Sequence, residues 1–190
     1  MATQQERAEL HKTIWKIAND LRGSVDGWEF KAYVLGSIFY RFISEYICDY
    51  FNKRMHDFGQ KDFNYADMPD EQAIGGKMDA VQAKGFFILP SQLFQNVVKT
   101  TEKDENLNEH LTAIFRSIEA SAQGTDSEDD LRGLFSDFSV DSQALGSTVI
   151  KRNQLLAKVL KTVAQMDLGS KYDNTNNDTV GDTYEFLMQM

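Results

Sequence analysis

The stretch from Trp28 to Phe51 sets the strongest limit on what this chain can become. Apolar or aromatic side chains recur at nearly every angle of a helix drawn through it: Trp28, Tyr33, Val34, Ile38, Phe39, Phe42, Ile43, Tyr46, Ile47, Tyr50 and Phe51. A helix apolar on all sides must be surrounded, by lipid or by other helices. Glu29, Lys31, Arg41, Glu45 and Asp49 lie within it, a charge load that excludes a membrane span. The expected fold is therefore mainly α, a multi-helix bundle around this central apolar helix. Its start is well marked. Asp26 can cap it, Glu29 can reach back to the N–H of the cap, and Val25 and Phe30 are placed as a hydrophobic staple. A base-stacking surface would also use these aromatic rings, but their spacing is that of a buried helix.

The rest of the chain has helical periodicity broken by turns. Leu10, Ile14, Ile17, Ala18 and Leu21 predict an amphipathic helix over 5–22, with Gly23 as its left-handed cap. Residues 57–84 are less regular, with Pro69 and Gly75-Gly76 as breakers. The run Phe86-Phe87-Ile88-Leu89, ended by Pro90, predicts at most a short β element, and a helix is expected over 91–98. Leu107, Leu111, Ile114, Phe115 and Ile118 mark a further amphipathic helix. A short one follows on Leu131, Leu134, Phe135 and Phe138, led by acids that suit a helix N-terminus. The last long helix is expected from Thr148 to Met166, with Leu155, Leu156, Val159, Leu160, Val163 and Met166 on one side. Residues 169–177 form a polar break, and a second capped helix starts at Asp178.

Residue chemistry excludes more than it suggests. A single cysteine, Cys48, allows no intrachain disulfide or cysteine-based zinc site and suits a reducing cytoplasm. Inside the central helix it reads as an inert small hydrophobe. Three scattered histidines, His11, His56 and His110, offer no ligand spacing, and residues 1–9 lack the apolar core of a signal peptide. Gly75-Gly76-Lys77 departs from a phosphate loop, because position 71 is Glu and position 78 is Met; it reads as a turn. Asp129-Asp130 is explained by the helix start, and no serine elbow exists.

Charge is uneven. The net charge is −9, against a nucleic-acid platform over the whole surface. Residues 101–146 hold eleven acids against three bases, whereas 147–171 hold five bases against one acid. The basic region places Lys151, Lys158 and Lys161 opposite the apolar stripe of the last long helix, with Arg152 nearer its edge. A solvated face is the commoner origin of such a stripe; contact with phosphates is the alternative.

Three segments resemble a known family. Trp15, Ala18, Leu21, Arg22, Gly23, Asp26, Trp28, Glu29, Lys31, Tyr33, Val34, Leu35 and Gly36 are spaced as in the opening of the modification (M, or HsdM) subunit of type I restriction–modification systems. Gly85 to Ser91 is similar to the strand-to-helix step that follows there. Asp178, Gly181, Tyr184, Glu185, Phe186 and Leu187 resemble the junction into the methyltransferase domain of that family.

The resemblance implies an S-adenosylmethionine-dependent DNA adenine methyltransferase subunit that works with a specificity subunit, a restriction subunit and double-stranded DNA. The family's Gly-Glu-Phe-Tyr-Thr-Pro segment, its glycine-rich cofactor loop and its Asn-Pro-Pro-Phe motif have no counterpart, since Pro69 and Pro90 are the two prolines present. By this resemblance, residues 1–168 are the helical N-terminal domain. Residues 169–190 are then a linker and the start of a junction helix into a methyltransferase domain absent from this sequence. DNA-contact candidates are Lys151, Arg152, Lys158 and Lys161; no catalytic, cofactor or metal residue is assigned. The rival reading is a non-enzymatic helical module that binds protein partners alone. The chain by itself is expected neither to bind S-adenosylmethionine nor to methylate DNA. Calorimetric titration should show no cofactor binding, and micromolar affinity would refute the expectation.

Overall fold

The computed structural model describes residue 12 and residues 27–166. The described elements are helices joined by short 3-10 turns, with no strand among them. In chain order the helices are α1 (Gly27–Asp57), α2 (Asp70–Ala73), α3 (Lys77–Lys84), α4 (Phe94–Thr100), α5 (Leu107–Ser121), α6 (Glu128–Leu131) and α7 (Val149–Ala164). No described helix is long and apolar enough to cross a membrane. The helix expected over 5–22, its cap, the Val25–Phe30 staple and everything from 167 onward lie outside the described residues, apart from Lys12, which is helical and exposed.

Helix α1 behaves as its composition demands. Between Ala32 and Asn52 only Asp49 is exposed. The chain divides into two compact units, one holding residues up to Phe39 and from Asp137 onward, the other holding Tyr40–Ser136, so α1 contributes to both.

In the unit made by Tyr40–Ser136, Tyr40 is the hub. Its ring meets those of Phe94, Phe115 and Phe135 edge-on, with centroids 5.4, 5.4 and 6.4 Å away. Phe115 and Phe135 stack on each other at 4.0 Å. Such pairs add about 0.5–1.5 kcal/mol each beyond area burial. The Tyr40 hydroxyl donates to Gln92 O at 2.5 Å, and burial pushes its pKa far above the usual phenol value. Farther along α1, Phe51 stacks on Tyr65 at 4.3 Å. Cys48 is buried, and desolvation raises its thiol pKa, in keeping with an inert hydrophobe.

The run Phe86–Leu89 is buried at Phe86, Phe87 and Ile88 but forms no strand. Side chains satisfy its backbone in place of a neighbouring strand. The Phe87 N–H donates to Ser121 Oγ at 2.9 Å, and Ile88 O accepts from the Tyr65 hydroxyl at 2.8 Å. The helix expected over 91–98 is split into a 3-10 turn, Pro90–Gln92, and α4. The break falls at fully buried Leu93, whose backbone is extended, and the next N–H, of Phe94, donates to Ser44 Oγ at 3.0 Å. The helix expected through Phe138 ends after one turn, at α6. Arg132 is extended and Gly133 is left-handed at φ 73°. Leu131, Phe135 and Phe138 are buried all the same, because burial and not the helical period decides their positions.

The other unit contains the opening of α1, the segment after Asp137, and α7. Tyr33 on α1 meets the Phe138 ring edge-on at 5.2 Å, and its hydroxyl donates to Ser139 O at 2.7 Å. Gly36 lies one turn farther along. A Cβ there would come 2.5 Å from Phe138 Cδ2, so the ring occupies the space that any side chain would need. Ordinarily a helical Gly→Ala replacement gains about 1 kcal/mol. Here overpacking, at about 1–3 kcal/mol, opposes that gain. Gly36→Ala is expected to lower the thermal midpoint in the native background and to raise it when Phe138 is Leu. A gain in stability with Phe138 intact would contradict the close approach.

Candidate nucleic-acid interface

Helix α7 begins where Thr148, in extended conformation, caps it: Thr148 Oγ1 accepts the Lys151 N–H at 3.3 Å. Leu156, Ala157, Val159, Leu160 and Val163 are buried, and Met166 beyond the helix is buried too. Leu155, expected among them, is half-buried, and Asn153, which the apolar pattern misses, is buried.

The four basic candidates do not form one uniform stripe. Lys151 and Lys158 are exposed, two helical turns or about 10.5 Å apart along the axis. Lys161 is half-buried. Arg152 turns away from this face. Its Nη1 donates to Gly146 O at 3.2 Å, while its Nε is buried without a hydrogen bond.

Ahead of α7, the 3-10 turn Gln143–Leu145 packs against the helix, and Leu145 is buried. Ser142 caps that turn, its Oγ accepting the Ala144 N–H at 3.2 Å. Gly146 has φ 151°, and a Cβ there would lie 2.7 Å from Lys151 Cβ. The loop therefore lies tight on the first turn of α7. Between loop and helix runs a groove of about 460 Å³, walled by Gln143, Ser147, Lys151, Gln154, Leu155 and Lys158 among others, with no carboxylate in its lining. Helical spacing placed the lysines, but Gln143, Ser147 and Gln154 were not singled out. Gly146 just before the cap was the available sign that the loop doubles back.

A second concavity, of about 810 Å³, lies in the unit made by Tyr40–Ser136 and includes Tyr46, Lys77, Lys84 and Asp126 in its wall. Lys84 is engaged there: Nζ donates to the Tyr46 hydroxyl at 2.9 Å and lies 4.4 Å from the centre of the Tyr46 ring. Gly75 and Gly76 belong to the 3-10 turn Ile74–Gly76 that leads into α3, and the Phe51 ring crowds Gly76, leaving 2.9 Å for a Cβ.

Comparison with known proteins decides the family. Residues 10–163 match the HsdM N-terminal domain. This chain belongs to the HsdM N-terminal domain family. It is 44% identical over 193 residues to the type I restriction enzyme MpnII methylase subunit of Mycoplasma pneumoniae, covering 98% of this chain and 35% of that protein. The crystal structure of the type I restriction-modification system methyltransferase subunit from Streptococcus thermophilus superposes with a TM-score of 0.73 at 26% identity, covering 96% of this chain and 38% of that one. The chain thus spans little more than a third of the length of these HsdM relatives.

The HsdM match runs from before α1 to Val163 in α7, so it includes Lys151, Arg152, Lys158 and Lys161. Of the positions carrying the HsdM resemblance, Trp28 and Lys31 lie at the start of α1. Tyr33, Val34 and Gly36 are buried in it. Arg22, Gly23, Asp26, Gly181, Tyr184 and Glu185 lie outside the described residues.

Proposed function

We propose that this chain is the N-terminal helical domain of a type I restriction–modification DNA adenine methyltransferase subunit and helps the assembled complex hold double-stranded DNA. The observation that carries the reading is the 44% identity to a methylase subunit, extending over almost all of this chain and about a third of that relative. In this reading residues 1–168 are the helical domain and 169–190 lead toward a methyltransferase domain, where S-adenosylmethionine would be bound. The complex would be cytoplasmic and would include a specificity subunit and a restriction subunit.

The physical case for DNA rests on local charge. Lys151 and Lys158 project from an acidic chain on one exposed helix face, with Lys161 a turn beyond. Phosphate contacts position a protein on the duplex without reading its bases, which suits a domain remote from sequence choice. Base flipping, which methylation of a paired adenine demands, also favours enclosure of the duplex by more than the catalytic domain.

Replacing Lys151, Lys158 and Lys161 together by glutamate should weaken DNA binding by the complex similarly on specific and random duplexes. The log–log salt slope should fall by about 3, at roughly 0.9 per lost contact. Unchanged affinity across a salt series would reduce the stripe to a solvated face and leave the domain a protein-contact role.

A further inference from the structure

The groove beside α7 separates the four basic candidates into two kinds. Lys151 and Lys158 are in its wall, with Gln143, Ser147 and Gln154 supplying amide and hydroxyl donors. Lys161 and Arg152 are not in the lining. In a chain of net charge −9, a concave surface walled by two ammonium groups and neutral donors, with no carboxylate, is matched to an anion.

We propose that this groove seats a backbone phosphodiester of duplex DNA between Lys151 and Lys158, and that Arg152 is a positioning residue holding the opposite wall in place. The proposal rests on the DNA-contact reading above and assigns the labour within it. Lysine suits the contact role, because its ammonium rides on a flexible stem and two of them can converge on one phosphate from two turns apart. The groove opens to solvent, so a strand can enter and leave it as a diester requires.

Arg152 suits the other role. Its guanidinium is committed to Gly146 O, a charge-assisted bond, and its Nε is buried away from the groove face. The carbonyl it holds belongs to the residue whose backbone is pressed closest to α7. A Cβ on Gly146 would lie 2.7 Å from Lys151 Cβ and 3.2 Å from Arg152 N. Leu145, buried beside it, anchors the same wall. Without the Arg152 tie, the Gln143–Ser147 segment loses one of the bonds that fix it over the first turn of α7. The lysines would remain, but the groove between them and Ser147 would lose its shape.

The test is the salt dependence of duplex binding by the complex containing this chain, measured by fluorescence anisotropy well below the unfolding transition. Lys151→Ala and Lys158→Ala should each lower the salt slope by about 0.9. Lys161→Ala should leave the slope unchanged. Arg152→Ala should weaken binding several-fold at an unchanged slope, and Arg152→Lys, which keeps a cationic donor for Gly146 O, should recover part of the loss. A drop in slope for Arg152→Ala equal to that of Lys151→Ala would make Arg152 a direct contact and overturn its positioning role. A slope that responds to Lys161 and not to Lys151 or Lys158 would overturn the groove while leaving DNA contact by this helix intact. If neither these single variants nor the triple glutamate variant changes binding, the DNA-contact reading itself fails. Inorganic phosphate at matched ionic strength should not displace the duplex; displacement would mark a free-phosphate site and overturn the diester assignment.

Discussion

Everything described here depends on one helix being covered. Helix α1 carries large apolar side chains on all its flanks, and water is kept from nearly all of them between Ala32 and Asn52. No single partner helix can achieve that. The unit made by Tyr40–Ser136 does it with aromatic rings gathered on Tyr40 from three separate places in the sequence, Phe94, Phe115 and Phe135. The other unit does it on its own share of α1, where Tyr33 and Gly36 receive the ring of Phe138. Large, rigid rings dominate because each buries much area at little cost in conformational freedom.

Burying so much chain creates a second demand, that backbone groups inside find partners. Three side chains answer it in the irregular segment from Phe86 to Phe94: Ser121 takes the Phe87 N–H, Tyr65 reaches Ile88 O, and Ser44 takes the Phe94 N–H. A serine facing a buried segment is a modest feature in a sequence, yet each of these stands in for a missing strand neighbour. Leaving one such buried donor unpaired costs about 1–3 kcal/mol.

This explains which parts of the fold were legible. Helices α1, α5 and α7 were, because periodicity over fifteen or more residues outweighs local accidents. The four-residue apolar run at Phe86 was not, since burial of a strand and burial of an irregular segment leave the same short pattern. The end of α6 was missed for a related reason: Phe135 and Phe138 keep a helical spacing although the backbone turns at Arg132 and Gly133. At the candidate interface the outward face of Lys151 and Lys158 was readable from spacing. The inward commitment of Arg152 was not, because it depends on Gly146, whose contact with α7 is a matter of tertiary closeness.

An acidic domain of a DNA-modifying assembly is a reasonable physical compromise. Net negative charge limits indiscriminate binding, and a local basic groove still engages phosphate when the rest of the complex has brought the duplex near. Residue-resolved lysine acetylation tests this most directly. The complex is labelled with and without duplex DNA and read by mass spectrometry. Protection of Lys151 and Lys158 by DNA, with the exposed Lys53 and Lys99 labelled equally in both states, is the expected result. Equal labelling of Lys151 and Lys158 in both states would contradict a DNA contact at this helix.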